Sequence, residues 1–277
     1  MKIGLAFFST DVSMNLVDLA REAEARGFYS IYIPEHTHIP TSRRTPAPTG
    51  DAELAEEYKR SLDPYVALGA AASVTTKLKL GTGVALVAQH DPIVLAKTLA
   101  TVDLLSNGRL VVGIGYGWNR EEMASHGVEF KERRALVREK MLAIEALWAN
   151  EEAEFRGERI AFEPSWQWPK PVQRPRPPVL IGGAAGPKLF AHIAEYADGW
   201  LPIGGAGLKT ALPELAQAMS ERGRDPKQLH IAPLGVFPDP EKLDYYRQLG
   251  CTEVALRIPS APRDKVMPVL DSYVKYI

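Results

Sequence analysis

Glu35-His36-Thr37-His38 carries the most reactive side chains in this sequence, and it follows an apolar run at 29–34. An imidazole changes charge near neutral pH, so a histidine placed at a strand end can give or take a proton. Glu35 is expected to orient His36. A His-x-His pair could also hold a metal, but such a centre needs further ligands at later strand ends. Those ends here offer Gly182, Pro202, Pro238 and Pro259, so no metal site is expected. A rim histidine held by ordinary hydrogen bonds is the plain structural alternative. His90-Asp91 precedes a helix, so Asp91 reads as a cap. His126, His192 and His230 have no partner in sequence and read as structural or surface groups. The one cysteine, Cys251, excludes an intramolecular disulfide and reads as a buried, inert thiol.

Three glycine-bearing stretches could let backbone approach a ligand. Gly113-Ile114-Gly115-Tyr116-Gly117-Trp118 runs from a strand towards a helix opening near Asn119. As a dinucleotide fingerprint it is defective, because Trp118 stands where the third glycine belongs. Gly182-Gly183-Ala184-Ala185-Gly186 leads into a helix at Pro187, and bare amides at a helix start suit an anion. Gly81 and Gly83 sit inside an apolar strand, where glycine weakens pairing unless a bulge or a close neighbour needs it. A tight strand-to-helix turn explains the first stretch better than a nicotinamide site does, while a plain turn and close packing explain the other two as well as a ligand would.

These groups need a frame. Apolar strand-like runs at 3–8, 29–34, 78–87, 110–114, 179–181, 199–203, 231–237 and 253–258 alternate with helix-period runs. Asp63-Pro64 and Asp91-Pro92 each pair a capping acid with proline at the first helical position. Strands apolar on both faces, each followed by a helix, predict a covered parallel sheet. Eight such units predict a (β/α)8 barrel over residues 1–277, with sites at the carboxyl ends of its strands. Two stretches interrupt the rhythm: a long polar loop at 37–62 after the second strand, and a proline-rich arm at 154–178 before the fifth.

Composition narrows the partners. The chain has 277 residues, of which 45% are hydrophobic and 24% charged, with 33 basic against 34 acidic side chains and a net charge of −1. That balance gives no general case for nucleic acid. No apolar run reaches the length of a membrane span and no secretory leader is evident, so a cytoplasmic enzyme acting on a small molecule is expected.

Several motifs resemble the luciferase-like monooxygenase superfamily. They are Gly81-Thr82-Gly83-Val84, Asp91-Pro92, the segment from Asp103 through Ser106-Asn107-Gly108-Arg109, and Gly113 to Trp118. Gly127-Val128-Glu129-Phe130-Lys131-Glu132-Arg133, Pro178 to Gly183 and Ala197-Asp198-Gly199-Trp200 extend the likeness over essentially the whole chain. It is most similar to the branch that uses coenzyme F420, a 5-deazaflavin. The resemblance implies hydride transfer between F420 and a small organic substrate. It implies a ring in the barrel mouth against a third-strand bulge, with a cis peptide at Gly83-Val84. Gly115, Tyr116, Gly117, Gly182, Gly183 and Ala184 would then hold the chain and phosphate, and His36 would stand beside the ring. Trp118 would line the substrate slot, and Arg43, Arg44 or Arg120 would meet the anionic tail. A homodimer is also implied. Trp118 stands where some deazaflavin dehydrogenases carry a proton-donating glutamate, which argues against a sugar-phosphate dehydrogenase of that type. Glu35 stands where aspartate is common. The alternatives are an FMN-dependent two-component monooxygenase and a non-catalytic deazaflavin-binding protein.

Overall fold

The computed structural model describes residues 1–48, 50 and 53–277. Positions 49, 51 and 52, within the long polar loop, lie outside the described residues. Strand β1 (Lys2–Ala6) is followed by α1 (Leu16–Ala25), whose Leu16, Leu19, Ala20 and Ala23 face inward. Asn15 caps that helix by accepting from the Val17 amide. Strand β2 (Ser30–Ile33) leads through the loop to the short α2 (Glu56–Lys59) and to α3 (Pro64–Ala72). Then come β3 (Lys79–Thr82), α4 (Pro92–Leu105) and β4 (Leu110–Ile114). The expected caps hold: the Asp63 and Asp91 carboxylates accept from the first amides of α3 and α4.

The second half begins with α5 (Arg120–Ser125) and α6 (Arg133–Ala149). The expected arm is an antiparallel hairpin of β5 (Glu152–Arg156) and β6 (Ala161–Trp166). The main sheet resumes with β7 (Val179–Gly182), α7 (Pro187–Tyr196), β8 (Gly199–Leu201) and α8 (Leu208–Glu221). It ends with β9 (His230–Ile231), β10 (Leu234–Val236), α9 (Pro240–Gln248), β11 (Glu253–Arg257) and α10 (Arg263–Tyr273).

The main sheet is parallel, in the order β10-β11-β1-β2-β3-β4-β7-β8-β9. It curls. Tyr32, Val111, Leu180, Leu201, Leu234 and Ala255 pack into one buried cluster, although Leu234 and Leu201 belong to opposite ends of the strand order. Their neighbours Ile31, Val112, Ile181 and Leu256 face outward and pack beneath the helices. The period of two thus separates an inner core from an outer one.

Several strands fall one or two residues short of their apolar runs, and two depart further. The third is regular only to Thr82; the cis Gly83–Val84 peptide follows, and pairing with β4 resumes at Ala85, opposite Ile114. The run at 231–237 divides at Ala232-Pro233, since Pro233 has no N–H to give the ladder.

Within the curl, the amino ends of the strands are plugged. The Glu253 carboxylate accepts from Ser30 Oγ, from Tyr32 Oη at 3.2 Å, and pairs with His230 Nε2 at 2.8 Å. Burial, with Glu253 alongside, holds the Tyr32 phenol well above its ordinary pKa. Arg109 is also structural. Its guanidinium donates to the Ala72, Thr75 and Leu78 carbonyls, satisfying the carboxyl end of α3. Asp103 ties down the proline-rich arm by accepting from the Val172 and Gln173 amides at 2.7 and 3.0 Å.

Candidate functional site at the carboxyl ends of the strands

The segments that follow β2, β3 and β4 meet at one end of the sheet. Gly83 N donates to the Ile33 carbonyl at 2.7 Å, and Ala85 N to the Gly113 carbonyl at 2.7 Å. Glu35 N donates to the Val84 carbonyl at 3.3 Å. The turned-out peptide is therefore held from both neighbouring strands. Val84 packs where side chains are missing: a Cβ on Gly115 would lie 2.4 Å from it, and one on Gly182 would lie 2.7 Å from it. The sequence suggested that these glycines bare the backbone to a ligand, whereas the structure gives their space to Val84. Gly117 is needed for its φ of +76°, and a Cβ there would also displace the tip of the Met123 side chain.

Glu35 and His36 are adjacent but do not pair. The Glu35 carboxylate, buried, accepts from the Leu86 amide at 2.6 Å and from Tyr65 Oη at 3.2 Å. It also pairs with His90 Nε2 at 2.6 Å. The expectation that Glu35 orients His36 is thus corrected, because successive residues of an extended chain point to opposite sides. The carboxylate on His36 is that of Glu122, at 2.8 Å from Nδ1. Its other oxygen accepts from the Thr37 amide at 3.1 Å. A carboxylate can only accept, so Nδ1 donates and Nε2 is left for other work.

Aromatic rings wall this pair. The His36 ring lies 5.3 Å from Tyr58 and 5.7 Å from Trp118, and Tyr58 lies 4.9 Å from Phe8. The His36 and Glu122 side chains are only 6% and 1% exposed, so the pair is largely shut off from bulk water. Burial raises the Tyr58 phenol pKa. The long loop supplies Tyr58 through α2 and is itself pinned to α5. Glu121 accepts from Thr45 Oγ1 at 2.6 Å and from the Arg44 amide at 2.9 Å.

The other expected groups sit around this centre. Tyr116 Oη bonds His192 Nδ1 at 2.7 Å, joining the β4 loop to α7. Burial lowers the His192 pKa. His126 Nε2 bonds Thr37 Oγ1 at 2.7 Å, and burial followed by the His38 charge lowers its pKa. Ala184 is exposed before α7, and the amides of Ala184, Ala185 and Gly186 have no partner among the described residues. Cys251 is buried, its thiol pushed up to about 11 by desolvation. Among the described residues no group of three or more His, Cys, Asp or Glu is placed to hold a metal.

Buried polar atoms test whether the site suits a polar ring. Ser9 Oγ, both polar atoms of the Gln89 carboxamide and Asn119 Nδ2 are buried without a partner among the described residues. They lie in the segments that follow β1, β3 and β4. Buried polar groups without partners are uncommon and need an explanation such as a ligand. With the bare amides before α7, they fit a ring with polar edges and an anionic chain.

A covered parallel sheet whose reactive side chains collect at its carboxyl end is an α/β enzyme architecture. This chain belongs to the luciferase-like monooxygenase family, whose profile matches residues 9–241. It is 46% identical over 267 residues to an uncharacterised protein of Mycobacterium tuberculosis, covering 95% of this chain and 94% of that one. It is 31% identical to the F420-dependent glucose-6-phosphate dehydrogenase of Amycolatopsis mediterranei, over 75% of this chain and 58% of that protein. Among solved structures, the monooxygenase RslO1 of Streptomyces bottropensis superposes with a TM-score of 0.81 at 21% identity. That match covers 100% of this chain and 98% of that one. An F420-dependent secondary alcohol dehydrogenase in complex with an F420–acetone adduct gives 0.79 at 18%, with the same coverage. The oxygenating constituent of 3,6-diketocamphane monooxygenase from Pseudomonas putida, in complex with FMN, gives 0.68 at 18%. It covers 90% of this chain and 76% of that one. At these identities the superpositions establish the α/β fold with its curled parallel sheet.

Proposed function

We propose that this protein is an F420-dependent oxidoreductase, exchanging a hydride between the deazaflavin and a small organic substrate. The observation that carries the reading is His36, fixed through Nδ1 by Glu122 inside an aromatic wall at the carboxyl end of the sheet. The bound deazaflavin would supply the hydride donor or acceptor. His36 Nε2 would hold or deliver the proton that balances the charge change on the substrate oxygen. Glu122 would keep that nitrogen aimed and stabilise the imidazolium. Trp118 and Tyr58 would exclude water, strengthening the hydrogen bond. Gln89 and Asn119 would satisfy the polar edge of the ring, and Val84 would support its face. The open amides of Ala184 to Gly186, with Gly183 and Tyr116, would receive the phosphate.

The same reading takes the curled sheet as a closed (β/α)8 barrel. Its support is that β9 and β10, at opposite ends of the strand order, are separated only by Ala232-Pro233. Ala232 N donates to the Trp200 carbonyl at 3.0 Å, while Ala255 N donates to the Pro233 carbonyl at 2.9 Å. We also infer a homodimer. Helix α3 carries no charged residue, and Asp103, one of two charged residues in α4, is buried. A cleft of about 530 Å3 between them is lined by Val66, Val94 and Leu105, all exposed. A helix apolar all round is normally covered. Sedimentation of a Val94→Asp variant as a monomer beside a wild-type dimer is the expected result.

Fluorescence titration of the purified protein with F420 and, separately, with FMN tests the cofactor. Saturable F420 binding with weak or no FMN binding is expected. Tight FMN binding without F420 binding would favour the second reading, an FMN-dependent monooxygenase, which the FMN-bound structural neighbour supports.

A further inference from the structure

Alternation along the strands carries the inward-facing side chains up to the open end of the sheet. Above the inner core, Ala6 is followed on the same side by Phe8, Tyr32 by Pro34 and His36, and Leu201 by Ile203. On β10, Leu234 belongs to the inner core and Val236 to the outer one, so Phe237 returns inward. On β11, Ala255 is followed by Arg257. The arc above β4 and β7 differs, because Gly115 and Gly182 stand there and Val84 takes the space they leave.

The open end therefore has two unlike halves. The half at β4 and β7 is low and flat. The half at β1, β8 and β10 is tall and apolar, and its Ile203 and Phe237 are each 64% exposed. A chain of contacts ties this half to the histidine. The His36 ring lies 5.3 Å from Tyr58, and Tyr58 lies 4.9 Å from Phe8. Glu57, beside Tyr58 in α2, accepts from Arg257 Nη2 at 3.1 Å. The Arg257 guanidinium lies 5.8 Å from the Phe237 ring centroid. Large apolar side chains left bare in a concave end, next to a reactive group, mark a binding surface.

We propose that this half is the substrate pocket, and that the substrate is an uncharged ketone or alcohol on a bulky apolar body, with its oxygen at His36 Nε2 and its body against Phe8, Ile203 and Phe237. In the reducing direction the carbonyl carbon gains a hydride from the reduced cofactor and the oxygen gains the His36 proton. The products are the alcohol and the oxidised cofactor, and oxidation runs the same exchange backwards. The cation in this half, Arg257, is already neutralised by Glu57. An anionic substrate would have to part that pair and then lie beside the carboxylate, which opposes it. Arg43, 5.9 Å from the Trp118 ring, belongs to the loop and donates to the Thr45 carbonyl. The proposal rests on the oxidoreductase reading for the role of His36, but not on which flavin is bound.

The test compares wild type with an Ile203→Ser, Phe237→Ser double variant, each loaded with F420 or FMN, whichever binds. The probes are 2-decalone, cyclohexanone and 4-oxocyclohexanecarboxylate, followed by kcat, KM and shifts in melting temperature. Wild type is expected to take 2-decalone with a kcat/KM about tenfold or more above that for cyclohexanone, and the carboxylate least well. The variant should lose about ten- to hundredfold in kcat/KM for 2-decalone, mainly through KM, and less than about threefold for cyclohexanone. Both side chains are exposed, so the unliganded variant should melt no lower than wild type.

A wild type that prefers the carboxylate, or takes both ketones alike, would overturn the substrate class. Equal loss for the two ketones, or no loss, would overturn the pocket. So would a variant that changes oligomeric state with unaltered ketone kinetics, which would assign Ile203 and Phe237 to a contact between copies. If neither cofactor binds, the oxidoreductase reading fails by itself. In that case, or if neither ketone is turned over, melting temperature decides. The pocket stands if 2-decalone raises that of wild type and not of the variant, and falls if it raises neither or both.

Discussion

Two carboxylate–imidazole pairs begin from adjacent residues at the end of β2, and they do opposite things. Glu35 turns outward to His90 and is saturated, since its oxygens also take the Leu86 amide and the Tyr65 hydroxyl. His36 turns inward to Glu122 and keeps Nε2 free of any hydrogen-bond partner among the described residues. The same two chemical groups thus give a structural clamp on one side of the strand and a poised proton carrier on the other. What distinguishes them is how many of their donors and acceptors the fold consumes. The first pair fixes the backbone on which the second depends, because Leu86 and Val84 both lie in the turn that Glu35 holds.

Removing the imidazole should give the largest effect and should separate the two pairs most clearly. His36→Ala is expected to lower turnover by about 10²- to 10⁴-fold, the range for a lost general acid–base, with little change in melting temperature. Single-turnover kinetics with bound cofactor would measure it; full activity in this variant would make the inner pair as structural as the outer one. Glu35→Gln should do the reverse. It leaves His90 facing a neutral amide and weakens three hydrogen bonds, for a destabilisation of about 2–3 kcal/mol by urea unfolding. Its turnover per folded molecule should fall far less than that of His36→Ala.

Glu122→Gln asks whether the inner carboxylate merely holds the ring or also supports its charge. An amide can present its oxygen to Nδ1 but cannot stabilise an imidazolium. Turnover is therefore expected to fall about 10- to 100-fold, within the range for supporting-residue changes. The pH–rate profile should also change shape. An unchanged profile with the same fall in rate would leave only the positioning role.

The difference between the pairs also explains what could be read from the sequence. His36 was legible, because a titratable residue directly after an apolar run lands at the carboxyl end of a parallel strand. The cis peptide at Gly83-Val84 was legible only through the family resemblance; Gly81 and Gly83 by themselves left close packing equally open, and a Cβ on either would meet Tyr32. Glu122 was not, since it lies 86 residues from its partner. Asn119 and Glu122 have the spacing of a capping box, which invites a purely local reading. Half of that reading holds: Asn119 Oδ1 accepts from the Glu122 amide at 3.3 Å, while the glutamate side chain crosses to His36 and Thr37. Glu35 is the complementary case: adjacent to His36 in sequence, it points to the other side of the strand end and pairs with His90. The fold was easier to read because periodicity and caps are local signals repeated many times, whereas each contact of the site occurs once and joins separate segments.

The smallest effect should come from the carboxylate beside Glu122. Glu121 faces the long loop, and its pKa falls from 4.5 to about 2. The Thr45 hydroxyl is the main cause and the Arg44 and Thr45 amides add to it, against a smaller opposing effect of burial. A carboxyl whose pKa is depressed by folding contributes stability above its unfolded value, and loses it as pH falls through the folded one. The loop contact should therefore be intact above pH 4.5, weaken below it, and be gone near pH 2. The group is close to solvent, which cuts the contribution to about 1 kcal/mol. Glu121→Gln should lower stability by that amount at neutral pH and by almost nothing near pH 2. Proteolysis should nick the 37–62 loop faster in the variant, and Tyr58, which the loop carries to His36, should lose order with it. A variant that cuts no faster and keeps its full neutral-pH stability would show that α2 holds the aromatic wall in place without Glu121.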